Sequence, residues 1–169
     1  MVNKVMYSGN NQAEETLRSD NFVKSTNSTG YTLFATGEEM NRYQAPLISY
    51  SWKANGSGSS NTTGSINSTV SANADAGFSI VSYTGTGSAA TVGHGLSSAP
   101  ELMMVKNRDE ADSWAVFHNS LNTYYLTLDT NAAQVDNAAY WNDTSPTSTV
   151  FTVGTAHSVN ANTEDYIAY

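Results

Sequence analysis

An all-β chain is predicted by these 169 residues: an antiparallel β-sandwich, jelly-roll-like, with loops rich in Ser, Gly and Asn. Three observations carry that expectation. Ser, Thr and Asn make up 60 of the 169 residues while charged residues make up 13%, about half their usual share. Aromatic residues number 18, and aromatic and β-branched side chains suit a pleated, half-buried surface, whereas bundles and coiled coils need Leu, Ala, Glu and Lys at helical spacing. Turn-forming clusters of Gly, Asn, Ser and Asp recur about every 8–12 residues, the punctuation of short strands in a sandwich.

Taken in order, residues 11–18 have the propensity for about two turns of helix. Residues 29–34 read as a turn followed by a strand. Residues 47–52 read as another strand behind Pro46, with Ile48, Tyr50 and Trp52 on one face. Residues 53–64 have almost no apolar content and read as a flexible linker or long surface loop, with a weak edge strand over 65–70. Stronger strand signals follow at 78–83, 90–94, 101–106, 114–118, 124–128, 150–153 and 165–169, separated by turn chemistry at 84–87, 95–100, 107–112 and 141–147. Residues 131–137 are either one helical turn or a loop. The core candidates are Phe78, Ile80, Leu102, Met104, Trp114, Val116, Leu126, Leu128, Phe151, Val153 and Ile167.

Charge bounds the partners. The net charge is −8, with seven Lys and Arg in all. So few cations neutralise few phosphates, which argues against nucleic acid, and an anionic membrane surface would repel the chain. The sequence holds no Cys, so disulfides, thiolate nucleophiles and zinc–sulfur sites are excluded. The first residues lack the apolar stretch of a secretory signal, and no apolar run is long enough to span a bilayer as a helix.

The search for chemistry yields no expected catalytic, cofactor-binding or metal-ligating residue. His94, His118 and His157 lack partners at metal or hydrolase spacing, and His94 reads as a ring that bonds nearby backbone and fixes a turn. Asp109, Glu110 and Asp112 offer oxygen ligands without the order of a calcium loop, and read as a solvated loop. A glycosidase would need two carboxylates facing a cleft, and Asp143 and Asp165 give no argument for such a pair. Gly85-Thr86-Gly87 lacks the Lys-Ser/Thr ending of a phosphate loop and reads as a turn. Tyr124, Tyr125, Tyr140 and Trp141 are candidate glycan contacts, since aromatic rings stack on sugar faces and Asn142 and Asp143 could bond sugar hydroxyls. Core or turn packing is the competing reading.

Residues 28–33 and 148–153 echo each other, as do 47–50 and 166–169, at an offset of 119–120 residues. The division that follows is 1–52 as the C-terminal half of a preceding repeat copy, 53–76 as a polar linker, and 77–169 as the main sandwich copy. Residues 1–50 then dock on the long copy, complete a neighbouring chain, or belong to a shifted frame in which residues 1–120 form one unit.

Several blocks resemble a repeat of large structural proteins of marine and other tailed bacteriophages. These are Ser51-Trp52-Lys53-Ala54-Asn55-Gly56, residues 76–87 (AGFSIVSYTGTG), Val92-Gly93-His94-Gly95-Leu96, Val105-Lys106-Asn107-Arg108, and Tyr140-Trp141-Asn142-Asp143-Thr144-Ser145-Pro146. The likeness covers about residues 47–169 and the family pattern runs on past the position of Tyr169, so the chain is expected to be truncated relative to it. The resemblance implies a virion appendage protein, in a tail fibre, spike or capsid fibre, made in the host cytoplasm and carried on the extracellular particle. It implies no catalytic residues. The expected partners are further copies of the chain (a trimer by default), other virion proteins and a host-surface glycan. The alternatives are a carbohydrate-binding module and a filament subunit completed by strand exchange.

Overall fold

The computed structural model describes residues 23–26, 30–33, 50–128 and 130–169. These residues are all-β, with antiparallel pairing between named strands and helices of a single turn. β1 (Val23–Thr26) and β2 (Tyr31–Leu33) form a two-stranded hairpin. β3 (Ser59–Asn61), β4 (Ser68–Asn73), β5 (Phe78–Thr84), β6 (Ala90–Gly93), β7 (Leu102–Asn107), β8 (Ala115–His118), β9 (Tyr125–Thr127), β10 (Val150–Val153) and β11 (Asp165–Ala168) follow. Seven of these make one sheet in the order β3-β4-β5-β11-β7-β8-β9, while β6 and β10 pair as a second layer. The helical turns α1 (Ala138–Trp141) and α2 (His157–Asn160) flank β10 in the chain. No helix among the described residues is long and apolar enough to cross a membrane.

Register explains where the core sits. Val70, Val81, Ala168, Val105 and Ala115 stand side by side across five strands. All five belong to the buried cluster, together with Tyr83, Met103, Phe117 and Tyr166 from the same face. Val92, Phe151 and Val153 meet them from the two-stranded layer, with Trp141 and Val159 from the helical turns. Each fully buried large side chain here contributes about 1.5–3 kcal/mol. Turn chemistry sets the hairpins. Between β4 and β5, the Asn73 side chain accepts the Ala76 N–H at 3.3 Å and Gly77 takes φ +64°, a left-handed conformation that only glycine adopts without steric cost.

The sandwich core uses the opposite parity from the one expected in β5, β7 and β11. Phe78, Ile80, Met104 and Ile167 are half-buried on the outer face of the seven-stranded sheet, as is Leu126 of β9, and Leu102 and Leu128 are each 50% exposed. Phe151 and Val153 are core residues as expected, whereas Trp114 and Val116 are buried on the outer face, apart from the main cluster. The reason is that Leu102-Met103-Met104-Val105 and Trp114-Ala115-Val116-Phe117 are apolar at every position. Such strands have two apolar faces, and alternation cannot choose between them.

Other expectations change too. Residues 53–76 are not a linker: they supply β3 and β4, which pair in the same sheet as β5, and place Ile66 and Val70 in the core. Sparse apolar residues suffice because β3, at the sheet edge, is largely exposed and β4 sends mainly Val70 into the core. Residues 50–52 are not in a strand, and residues 131–137 form a loop that bridges β9 through Tyr125 and Val135. The helix expected at 11–18, the strand over 47–49 and most of the first repeat copy lie outside the described residues.

Candidate contact face

The outer face of the large sheet carries a run of stacked rings. Tyr50 stacks on Trp52 at 6.1 Å between centroids, Trp52 on Phe78 at 6.0 Å, Phe78 on Tyr169 at 6.4 Å, and Tyr169 on Trp114 at 6.2 Å. Interplanar angles stay between 21° and 28°, so the rings form an offset ladder, each contact adding about 0.5–1.5 kcal/mol beyond burial. The ladder runs from Trp114, 5% exposed, to Trp52 and Tyr50, 62% and 75% exposed. Its exposed end is held by backbone. The Asn55 N–H donates to Ser71 Oγ and that hydroxyl donates to the Gly56 carbonyl, both at 2.9 Å, while Asn73 Nδ2 donates to the Lys53 carbonyl at 3.1 Å. These bonds pin residues 53–56 along β4 and set Trp52 over Phe78 at the start of β5. The residues that carry the ladder were not singled out as a site from the sequence. Its signal was the unbroken apolar run beginning at Trp114, too continuous for a strand with one wet face.

Toward β3 the same face turns polar. A groove of about 280 Å³ is lined by Ser60, Asn67, Thr69, Ser82, Arg108 and Asp165, among others. Ser60, Thr69 and Ser82 are cross-strand neighbours in one row. Asp165 is fixed at the rim: its Oδ1 accepts from Thr84 Oγ1 at 2.8 Å, and its backbone N–H donates to Asp109 Oδ2 at 2.6 Å.

A third cluster ties the β7–β8 loop to α2 and β11. His157 Nδ1 lies 3.2 Å from Asp112 Oδ2, and its Nε2 lies 3.2 Å from Glu164 Oε1. Asn107 Nδ2 donates to the other Glu164 oxygen at 2.5 Å, and the buried Tyr166 hydroxyl donates to the His157 carbonyl at 2.6 Å. The hydrogen bond to Asp112 leads the forces that raise the His157 pKa, with the charges of Glu164 and Glu110 adding to it. A raised folded-state pKa gives stability that is full below about pH 6.5 and is lost as pH rises through the folded value. The side chain is 57% exposed, so solvent screening limits the effect to a few tenths of a kcal/mol, roughly. Thermal melts from pH 5.5 to 8.5 should show a shallow fall in Tm that His157→Gln removes. An unchanged slope in that variant would assign the fall to other groups.

The other two histidines hold turns elsewhere in the fold. His94 is buried; its Nδ1 accepts the Leu96 N–H at 3.1 Å and its Nε2 lies 3.1 Å from the Thr147 carbonyl. The ring is therefore the neutral Nε2–H tautomer clamping two turns, and burial lowers its pKa. His118 Nδ1 accepts the Ser120 N–H at 3.2 Å and acts as a local cap.

The match that places this chain covers all of it: the model of a family described as Domain of unknown function (DUF7483) spans residues 1–169. The chain belongs to that family. No curated protein and no solved structure matches it.

In this DUF7483 chain three of the four residues expected to touch glycan, Tyr125, Tyr140 and Trp141, pack on one another or on Phe117. Tyr125 of β9 and Tyr140 of α1 stack at 3.5 Å and 7°, so each covers one face of the other. Trp141 is 1% exposed and packs edge-on against Phe117 at 6.0 Å. A ring sealed in the core cannot stack on a surface sugar, which removes Trp141 from the candidate set. Tyr124 is half-buried beside this cluster, its N–H bonded to the Leu121 carbonyl at 3.2 Å.

Proposed function

We propose that the chain is a non-enzymatic structural and adhesion module of a bacteriophage virion appendage, working as one of several identical copies. The observation that carries the proposal is the aromatic ladder, which surfaces at Tyr50 and Trp52 on a sheet face that is apolar over much of its width. Exposed Trp and Tyr stacked against a sheet face are the residue types that anchor protein–protein contacts. The phage context comes from the resemblance of residues 47–169 and is supported by the antiparallel β architecture.

The non-enzymatic reading is supported by where the reactive side chains are engaged. His94 and His118 are bonded to backbone, and Glu164 is shared by His157, Asn107 and Tyr166. Asp112 and Glu164 flank one imidazole, which occupies the space that water and a scissile sugar would need in a polysaccharide depolymerase.

Light scattering of the purified chain tests the proposal. A defined oligomer, with a trimer as the default, is the expected result, and polymers would favour the filament version of the same reading. A monodisperse monomer at all accessible concentrations would contradict the multi-copy role.

A further inference from the structure

We propose that the polar groove between β3, β4, β5 and β11 binds a neutral, polyhydroxylated ligand, a sugar residue of a surface polysaccharide. The proposal rests on the adhesion reading and supplies its ligand class.

The argument starts from hydrogen-bonding capacity. Ser68 and Ser79, on the inner face of β4 and β5, donate to the Gly93 and His94 carbonyls at 3.1 and 2.6 Å. In contrast, the side chains of Ser60, Asn67, Thr69 and Ser82, which line the groove, have no hydrogen-bond partner among the described residues. Three hydroxyls therefore stand in one cross-strand row on β3, β4 and β5, with the Asn67 amide just before β4 beside them. Asp165 faces them with its carboxylate oriented by Thr84 and with acceptor capacity left on its second oxygen, and Arg108 lines the same groove.

Charge and polarity decide the class of ligand. An anion would meet Asp165 and nearby Asp109 on a chain of net charge −8. A metal ion would need several oxygen or nitrogen ligands converging on it, and no group of His, Asp or Glu among the described residues is arranged to hold one. An apolar molecule would strip water from the hydroxyls and return no hydrogen bonds. A neutral polyol satisfies every group at once, because its hydroxyls both donate and accept, and vicinal pairs match a carboxylate, an amide or a guanidinium. At about 280 Å³ the groove sits at the small end of ligand sites, which run about 300–1,000 Å³. That size suits one sugar ring.

The test uses the whole chain on a printed array of bacterial capsular and O-antigen oligosaccharides, followed by calorimetric titration with the strongest hit. Two variants are compared: Asn67→Ala combined with Thr69→Ala, both exposed and unpartnered, and Trp52→Ala. Neutral oligosaccharide binding that the groove double variant weakens at least tenfold, roughly, is the expected result. Loss confined to Trp52→Ala would overturn the groove assignment and leave adhesion through the ladder. Binding only to polyanionic saccharides would overturn the neutral class. An array with no signal, from a chain that light scattering shows to be oligomeric, would overturn the ligand proposal and leave the structural role intact.

Discussion

Trp141→Ala is expected to destabilise the fold by about 3–5 kcal/mol, the range for removing a large aromatic side chain from a packed core. The ring is 1% exposed and lies between Phe117 of the large sheet and Tyr140 of its own helical turn, at 6.0 and 6.3 Å. Nothing nearby can collapse cheaply into the space. Gly154 follows β10 and its N–H donates to the Tyr140 carbonyl at 2.7 Å, so α1 is fixed from below. The Trp141 indole N–H has no hydrogen-bond partner among the described residues. Trp141→Phe should cost clearly less than Trp141→Ala, since neither loses a hydrogen bond and Phe keeps most of the ring volume. Urea unfolding monitored by circular dichroism checks both. A stability change under about 1 kcal/mol in Trp141→Ala would mean that the residue is a surface contact after all.

Asn160→Ala should cost about 3–5 kcal/mol by a different mechanism, the loss of a buried hydrogen-bond network. The side chain is fully buried. Its Nδ2 donates to the Ser88 and Gly154 carbonyls, both at 2.7 Å, and its Oδ1 accepts the Thr86 N–H at 2.8 Å. One amide thus joins the β5–β6 loop to the end of β10. Truncation removes the partner of one donor and two acceptors, of which the Gly154 carbonyl lies in the buried interior. Asn160→Asp is the informative companion: the shape is kept, but a carboxylate cannot donate to the two carbonyls. It should be at least as damaging at neutral pH. A variant of either kind that melts within about 2 °C of the parent would show that the loop is not held by this residue.

Much of the fold was legible in the sequence, and the reasons differ by element. The strands β5 to β11 stand out because β-branched and aromatic runs are bounded by Gly, Asn and Pro. Their facing was not legible. In Leu102-Met103-Met104-Val105 every position is apolar, and only the second layer, made of β6 and β10, decides that Met103 and Val105 point inward. β3 and β4 were hidden by composition, since a Ser- and Asn-rich edge strand resembles a linker until its partner is known. The four-residue turns α1 and α2 lie below the length at which propensity says anything, and they exist because Trp141 and Val159 are buried against the sheets.

The site was legible in part. Aromatic content pointed to rings as glycan contacts and singled out Tyr124, Tyr125, Tyr140 and Trp141, while the ladder assembles from positions as distant as Tyr50 and Tyr169. The groove side chains Ser60, Asn67, Thr69 and Ser82 carry no signal in a chain where such residues are everywhere. Their alignment is a product of strand register.

Hydroxyl-radical footprinting of the wild-type chain, read residue by residue by mass spectrometry above and below its association concentration, tests the contact face most directly. Protection of Tyr50 and Trp52 on association, with reactivity unchanged at the remote Val135, is the predicted result. Equal reactivity of Tyr50 and Trp52 in both states would contradict a role for the ladder in assembly.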